Sequence, residues 1–275
     1  MVSSSKLLRS EDYHSRLVDL SLADRLDLGR AKTLLEHPGL AARIANTLGT
    51  PIERLFAALP PGASEAIQGA TTKALNAAVR TAVSGMDETP RVPTDWLHTA
   101  AAAASGAVGG AFGFAALAVE LPVSTIIMLR SIADIARSEG HSIRALDVQL
   151  SCVEVFALGG PTRRDDAVES GYFAARLAMA KAVTEAAQHI AERGLAGEVA
   201  PPLVRFITRL AARFGIPVTE KIMAQSVPII GAAGGALINV VFIDHFQDLA
   251  RGHFIVRRLE GKYGPDAVRA AYLQV

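Results

Sequence analysis

Two stretches without a charged side chain constrain this chain most. They are Thr99 to Val119, TAAAAASGAVGGAFGFAALAV, which leads directly into Glu120-Leu121-Pro122, and Ile222 to Ile243, IMAQSVPIIGAAGGALINVVFI. As a single helix each would be roughly 30 Å long at 1.5 Å per residue, the length of a bilayer core or of the interior of a large helical domain. Both carry the same small-residue pattern, Gly106-Ala-Val-Gly109-Gly110-Ala with Gly113 beyond it, and Gly231-Ala-Ala-Gly234-Gly235-Ala. Small side chains three or four positions apart leave a flat helix face on which a second backbone can come close. The two stretches are therefore expected to pack on each other. Their likeness fades within about a dozen residues, so it is not an internal repeat.

Three readings of these stretches compete: buried core helices of an α-bundle, insertion in a bilayer, and an amphitropic state in which the same helices line an apolar pocket or open against a membrane surface. Alanine and glycine drive insertion far less than leucine and phenylalanine, and the basic flanks expected of a span are thin. Hydrophobic residues make up 50% and charged residues 20%, with mean hydropathy +0.28, more apolar than most soluble enzymes and less so than a multi-span membrane protein. The favoured architecture is a single all-α helical bundle domain built around two Gly/Ala-rich apolar helices, at residues 38–275, preceded by an N-terminal helical arm at 1–37.

Composition also excludes. Twenty-eight basic against twenty-seven acidic side chains give a formal net charge of +1, so no global field draws nucleic acid, and none is expected as a partner. Cys152 is the single cysteine and can form neither an internal disulfide nor a thiolate metal site. The N-terminal residues lack the apolar run of a signal peptide, and no glycine follows Met1, so the chain is expected to remain inside the cell that makes it, in the cytoplasm. The glycine stretches lack the dinucleotide-fingerprint spacing, and no Gly-Lys-Ser/Thr is present, so no cofactor is expected.

Along the chain, Ser10 to Leu35 reads as a solvated helix, broken by His37-Pro38-Gly39. Leu40 to Leu59 places apolar residues at three- and four-residue steps across Gly49 and Pro51. Ser64 is expected to cap a helix over Glu65 to Val83 whose wet stripe is Gln68, Thr72, Asn76 and Arg80. Residues 84–93 read as loop. Pro122 is expected to open a new helix after a bend at Glu120-Leu121. Further helices are expected over Ser142 to Leu158, Ala167 to Arg193, Pro201 to Phe214 and Ile243 to Glu260, with Gly215-Ile216-Pro217 as a break. No stretch has a strand pattern.

Few polar residues are placed to do chemistry. Glu120 follows an apolar run, and its carboxylate is either a raised-pKa acid or ligand anchor, or is paired with an arginine at a helix end. Arg130 and Asp134 fit an intrahelical ion pair. Asp244, His245 and Asp248 form the one compact acid and imidazole group, which a third ligand such as Glu120 would have to complete before it held a metal; a solvated or ion-paired helix face is the plainer reading. Asn239, inside the second apolar run, has to hydrogen-bond its amide when buried. No His-Glu-x-x-His and no Gly-x-Ser-x-Gly occurs, and Cys152 sits among apolar neighbours as an inert thiol.

The set Gly106-Ala-Val-Gly109-Gly110, Ala118-Val-Glu120-Leu-Pro122, Leu129-Arg-Ser-Ile-Ala-Asp134-Ile-Ala136, Val155-Phe-Ala-Leu-Gly159-Gly160 and Pro228-Ile-Ile-Gly231-Ala-Ala-Gly234-Gly235 with Asn239 resembles the EcsC protein family over roughly Pro38 to Tyr263. The resemblance implies a membrane-associated accessory role beside an ABC-type transport system, and brings no reaction and no catalytic residue.

The expectation is a non-enzymatic protein that binds a lipid or other hydrophobic ligand, or docks on a membrane surface or transporter. Gly106, Gly109, Gly110, Gly113, Gly231, Gly234 and Gly235 would supply the close helix faces, and Glu120, Asn239 and His245 would meet a head group. Two alternatives remain: a metal-assisted or acid/base hydrolase of lipidic substrates using Glu120, His245 and Asp248, and a helical protein-interaction module.

Overall fold

The structure, a computed structural model, describes residues 20–36, 39–49, 62–84, 95–112, 117–159, 171–195, 200–225 and 231–275. Among these residues there are ten helices and no strand: α1 Leu22–Leu35, α2 Leu40–Leu48, α3 Ala63–Val83, α4 Asp95–Phe112, α5 Leu117–Ser138, α6 Leu146–Leu158, α7 Gly171–Arg193, α8 Pro201–Gln225, α9 Gly231–Tyr263 and α10 Pro265–Tyr272. The protein is an all-α helical bundle, as its patterning requires.

Helix α9 is the spine. Its most extensive packing is on α4, so the helices carrying the two small-residue patterns do lie together, and it also meets α1, α2, α5, α6, α8 and α10. Helices α6, α8 and α9 contribute a cluster of packed aromatic rings. Phe156 and Phe214 lie 4.9 Å apart, Phe214 and Phe246 5.5 Å, and Phe242 and Phe246 5.2 Å, in tilted or edge-on arrangements. Burying rings of this size is the largest apolar contribution a bundle can draw on, at about 25 cal/mol per Å² removed from water.

The helix directions follow from side-chain bonds. Asn239 bonds Glu120 near the starts of α9 and α5, and Gln247 bonds Ser131 further along both, so α5 and α9 run parallel. His98 near the start of α4 meets Asp134 near the end of α5, so α4 runs against them. Lys221, in the last two turns of α8, reaches Glu120. The ends of α4 and α8 and the starts of α5 and α9 thus gather at one end of the bundle.

Several expected boundaries move. The described part of the first apolar stretch falls in α4, to Phe112, and α5, from Leu117, and that of the second in α8, to Gln225, and α9, from Gly231. Among the described residues no helix is long and apolar enough to cross a membrane. Pro122 does not open α5 but lies inside it, and Pro217 lies inside α8. Each proline removes one backbone bond, and packing on neighbouring helices holds the helix through the gap. Helix α9 runs on from Gly231 rather than starting at Ile243, and α6 starts at Leu146 rather than Ser142. Gly62, not Ser64, precedes α3, in a left-handed conformation at φ 78° that glycine adopts without strain. The stripe Gln68, Thr72, Asn76 and Arg80 is exposed or half-exposed, as expected.

Helix α1 is docked rather than solvated. It buries Leu28 and Ala31 against the body, and Gly252 of α9 permits this, because a Cβ there would lie 2.6 Å from Leu35 Cγ and 2.9 Å from the Ala31 carbonyl oxygen. The second part of the apolar row expected over Leu40 to Leu59, the loop expected at residues 84–93 apart from Ser84, and the start of the helix expected from Ala167 lie outside the described residues.

Candidate functional site

At the end where α4, α5, α8 and α9 meet, one ion pair is sealed into the core. Lys221 Nζ donates to Glu120 Oε1 at 2.8 Å and Oε2 at 3.0 Å, and the ammonium lies 4.9 Å from the centre of the Phe242 ring. Lys221 has 0% of its surface exposed and Glu120 is also buried. Asn239 Nδ2 donates both to Glu120 Oε1 at 2.9 Å and to the Ala102 carbonyl at 2.8 Å. One amide group therefore ties α9 to α4 and α5, while the ammonium ties α8 to α5. Burial alone would push the Glu120 carboxyl up; the Lys221 charge and the bonds from Lys221, Asn239 and Ser124 outweigh it and hold the carboxyl below its ordinary range.

Geometry orients the Asn239 amide. Its two acceptors require the nitrogen to face them, which leaves Oδ1 pointing elsewhere, buried, with no donor in reach among the described residues. A desolvated acceptor of this kind costs about 1–3 kcal/mol. The cluster is held together strongly but incompletely satisfied.

Of the residues singled out from sequence, Glu120 and Asn239 are brought together, and the partner of Glu120 is a lysine from α8 rather than an arginine. Gly106, Gly109 and Gly110 fall in the second half of α4, and Gly231, Gly234 and Gly235 in the first turns of α9, the two helices that pack together; Gly113 lies outside the described residues. His245 is elsewhere. It is buried with its ring 5.3 Å from Phe246, beside Gly159, where a Cβ would come within 3.4 Å of its Nε2. Asp248 pairs with Arg43 at 3.1 Å and Arg251 at 3.9 Å. Asp134 pairs with Arg137 at 3.0 Å and with His98 at 2.8 Å, not with Arg130, which is exposed. Among the described residues no group of three or more His, Cys, Asp or Glu side chains is placed to hold a metal ion, so Glu120, His245 and Asp248 do not form a metal site. Cys152 is fully buried and its thiol is pushed up to about 12 by desolvation, the inert state expected.

Lys221 could have been found. It continues the α8 row Leu203, Ile207, Leu210, Phe214 and Val218 at steps of three and four, and an ammonium on an otherwise apolar stripe needs a buried carboxylate opposite it.

A second buried polar group sits further along α9. His253 Nε2 lies 2.7 Å from Ser151 Oγ and Nδ1 2.9 Å from the Tyr172 hydroxyl, joining α6, α7 and α9. Arg257 donates to Ser151 Oγ at 2.8 Å and to Asp147 at 3.0 Å, and Arg176 forms a two-bond pair with Glu260 at 2.7 and 3.0 Å. Desolvation, with the neighbouring arginine charges, drives the His253 imidazole well below its ordinary range, so it is neutral. Burial likewise pushes the Glu154 carboxyl up, against the pull of Arg176 and Arg257. Ser151 and His253 are in hydrogen-bond contact, with Ser151 mid-helix and both residues buried.

No curated protein and no solved structure matches this chain. The EcsC protein family matches it over residues 28–259, from within α1 to the last turns of α9, which takes in the buried Glu120, Lys221 and Asn239 cluster and the His253 network alike. The chain belongs to the EcsC protein family.

Proposed function

We propose that this protein acts by binding rather than by catalysis, docking the charge-free end of its bundle on the surface of a lipid membrane. One observation carries the reading. Over residues 99–129 and 222–243 the only side chain that is charged at neutral pH is Glu120, and it is turned inward and neutralised by Lys221. Among the described residues, the most exposed side chains there are apolar. Val119 is 70% exposed, and Val123, Leu237, Ala104, Ala118 and Ala233 are exposed as well. A protein that neutralises its one local carboxylate internally and shows valine and leucine to the outside presents what the acyl boundary of a bilayer accepts, by interfacial docking and not by a span. Such a surface fits the accessory role beside an ABC-type transport system that the family resemblance implies.

The test is flotation of the full chain with phosphatidylcholine vesicles, with and without phosphatidylglycerol. The wild type is expected to rise with the vesicles. Val119→Asp with Leu237→Asp is expected to stay at the bottom of the gradient with an unchanged far-ultraviolet circular dichroism spectrum. A wild type that fails to float with either vesicle, or a double variant that floats equally well, overturns the reading.

A further inference from the structure

Resting on that reading, we infer that the Glu120 and Lys221 pair is a releasable clasp, which holds the proline-jointed ends of α5 and α8 shut and lets them spread when the charge-free end meets lipid. Three observations converge on it.

The first is where the prolines lie. Pro122 stands two residues beyond Glu120 inside α5, and Pro217 one turn before Lys221 inside α8. Pro122 cannot donate to the Ala118 carbonyl, nor Pro217 to that of Arg213, so each helix end carrying half of the pair is joined to its helix by a weakened turn. Hydroxyls crowd the same turns. Ser124 and Thr125 both donate to the Leu121 carbonyl, at 3.2 and 2.7 Å, and Thr219 donates to that of Gly215 at 2.7 Å, the back-bonding that bends helices.

The second is the chemistry of the pair. Replacing a buried ion pair with apolar side chains of similar size is often neutral or stabilising, so an ion pair here is not what maximum stability selects. Its distinguishing property is that each charge recovers hydration when the pair separates, as does the unpartnered Asn239 Oδ1. An apolar contact at the same place would have no such gain on opening.

The third is what opening would uncover. Within three positions of the pair along the chain, the buried apolar side chains are Leu117 and Leu121 on α5 and Val218, Ile222, Met223 and Ala224 on α8. Apolar surface of this kind is costly in water and favourable against acyl chains, so lipid is the occupant for which spreading is downhill.

The decisive comparison uses the full chain with Glu120→Leu and Lys221→Met combined. This variant is expected to unfold at a higher temperature than the wild type and to show at least a tenfold weaker partition into phosphatidylcholine and phosphatidylglycerol vesicles. A folded double variant that partitions as well as the wild type overturns the clasp while leaving the docking reading intact, whereas a wild type that does not bind vesicles removes both. A second measurement needs no variant. The Lys221 amine, fully buried in the closed bundle, is expected to become reactive toward an N-hydroxysuccinimide ester when the wild type is bound to vesicles, read by peptide mass spectrometry. An amine that stays unreactive on vesicle-bound protein overturns the clasp.

Discussion

The early turns of α9, around Asn239, and the later turns, around His253, bury polar atoms by different means. Fourteen residues of helix, roughly 21 Å at 1.5 Å per residue, separate them. In the early turns the charges of Glu120 and Lys221 go inside, and among the described residues the exposed side chains of α5 and α9 beside them, Val119, Val123 and Leu237, are apolar. In the later turns the buried group is a neutral imidazole, and the charges stand at the margin: Arg176 with Glu260, Arg257 with Asp147, Arg258 with Asp27 and Glu139, and Lys262 with Asp24. The difference lies in where the charge is met: Glu120 is neutralised inside the bundle by Lys221, whereas the later carboxylates are met by arginine and lysine at its margin. The other end, ringed by ion pairs in contact with water, is built to stay wet.

The largest expected effect tests the buried charge. Lys221→Ala leaves Glu120 desolvated and unpaired, and equilibrium urea unfolding is expected to register a loss of about 3–5 kcal/mol. A loss below about 1 kcal/mol would mean that the pair is solvated and the contrast with the later turns is void.

Packing of the later turns comes next. Gly252→Ala drives a methyl into Leu35 and the Ala31 carbonyl and is expected to cost roughly 1–3 kcal/mol, because backbone cannot step aside as a flexible side-chain tip would. Gly261→Ala on the same helix meets nothing within 4 Å and is expected to stabilise by roughly 0.5–1 kcal/mol through helix propensity. Equal effects from the two would show that α1 does not sit on α9 as described.

Acid should separate the two regions in order. The His253 imidazole lies well below its ordinary 6.5 in the folded protein, so the unfolded chain takes up a proton that the folded one refuses, and stability is lost as pH falls below 6.5. His141, lowered mainly by burial, acts in the same direction. Glu120 is lowered, so its contribution is present above the ordinary 4.5 and is lost only as pH falls below that value. Glu154 is raised and opposes the histidines by losing stability as pH rises from 4.5, so the comparison is best made in Glu154→Gln. Hydrogen exchange across a pH series is expected to show the turns around His253 losing protection before those around Asn239; the reverse order would break the comparison. Glu220 adds a neutral-pH feature. Burial pushes its carboxyl up to about 7 against the bond it accepts from the Ala41 amide, so Glu220→Gln should raise the melting temperature more at pH 8 than at pH 5.

The smallest effect belongs to the exposed pair Arg205 and Glu185, 3.0 Å apart. Arg205→Ala is expected to change stability by no more than about 0.5 kcal/mol, because water and salt already screen such a pair.

Local chemistry made much of this legible. The absence of any strand pattern, the wet stripe of α3 and the inert Cys152 all follow from periodicity and the neighbours of each residue in the chain. The helix boundaries that misled were those at proline. Pro122 and Pro217 break helices in isolation, yet here lie inside α5 and α8, because tertiary packing on both sides of a missing bond outweighs the local cost. Glu120 and Asn239 stood out from sequence because each interrupts an apolar run. Lys221 and His253 did not, although each stands in a helical row of apolar residues where only a buried partner could accommodate it.

By itself, then, the amino-acid order determined the all-α class, the expectation that the two helices now seen packed together, α4 and α9, would meet, and the burial of Glu120 and Asn239. These are properties of spacing along one helix, and spacing is written in the chain. Which cation meets Glu120, which residues reach His253, and that His245 stands apart from Asn239 were decided only by the tertiary structure. Each of those contacts joins residues roughly a hundred positions apart or turns on which face of a helix points inward, and no local rule sets that before the helices pack.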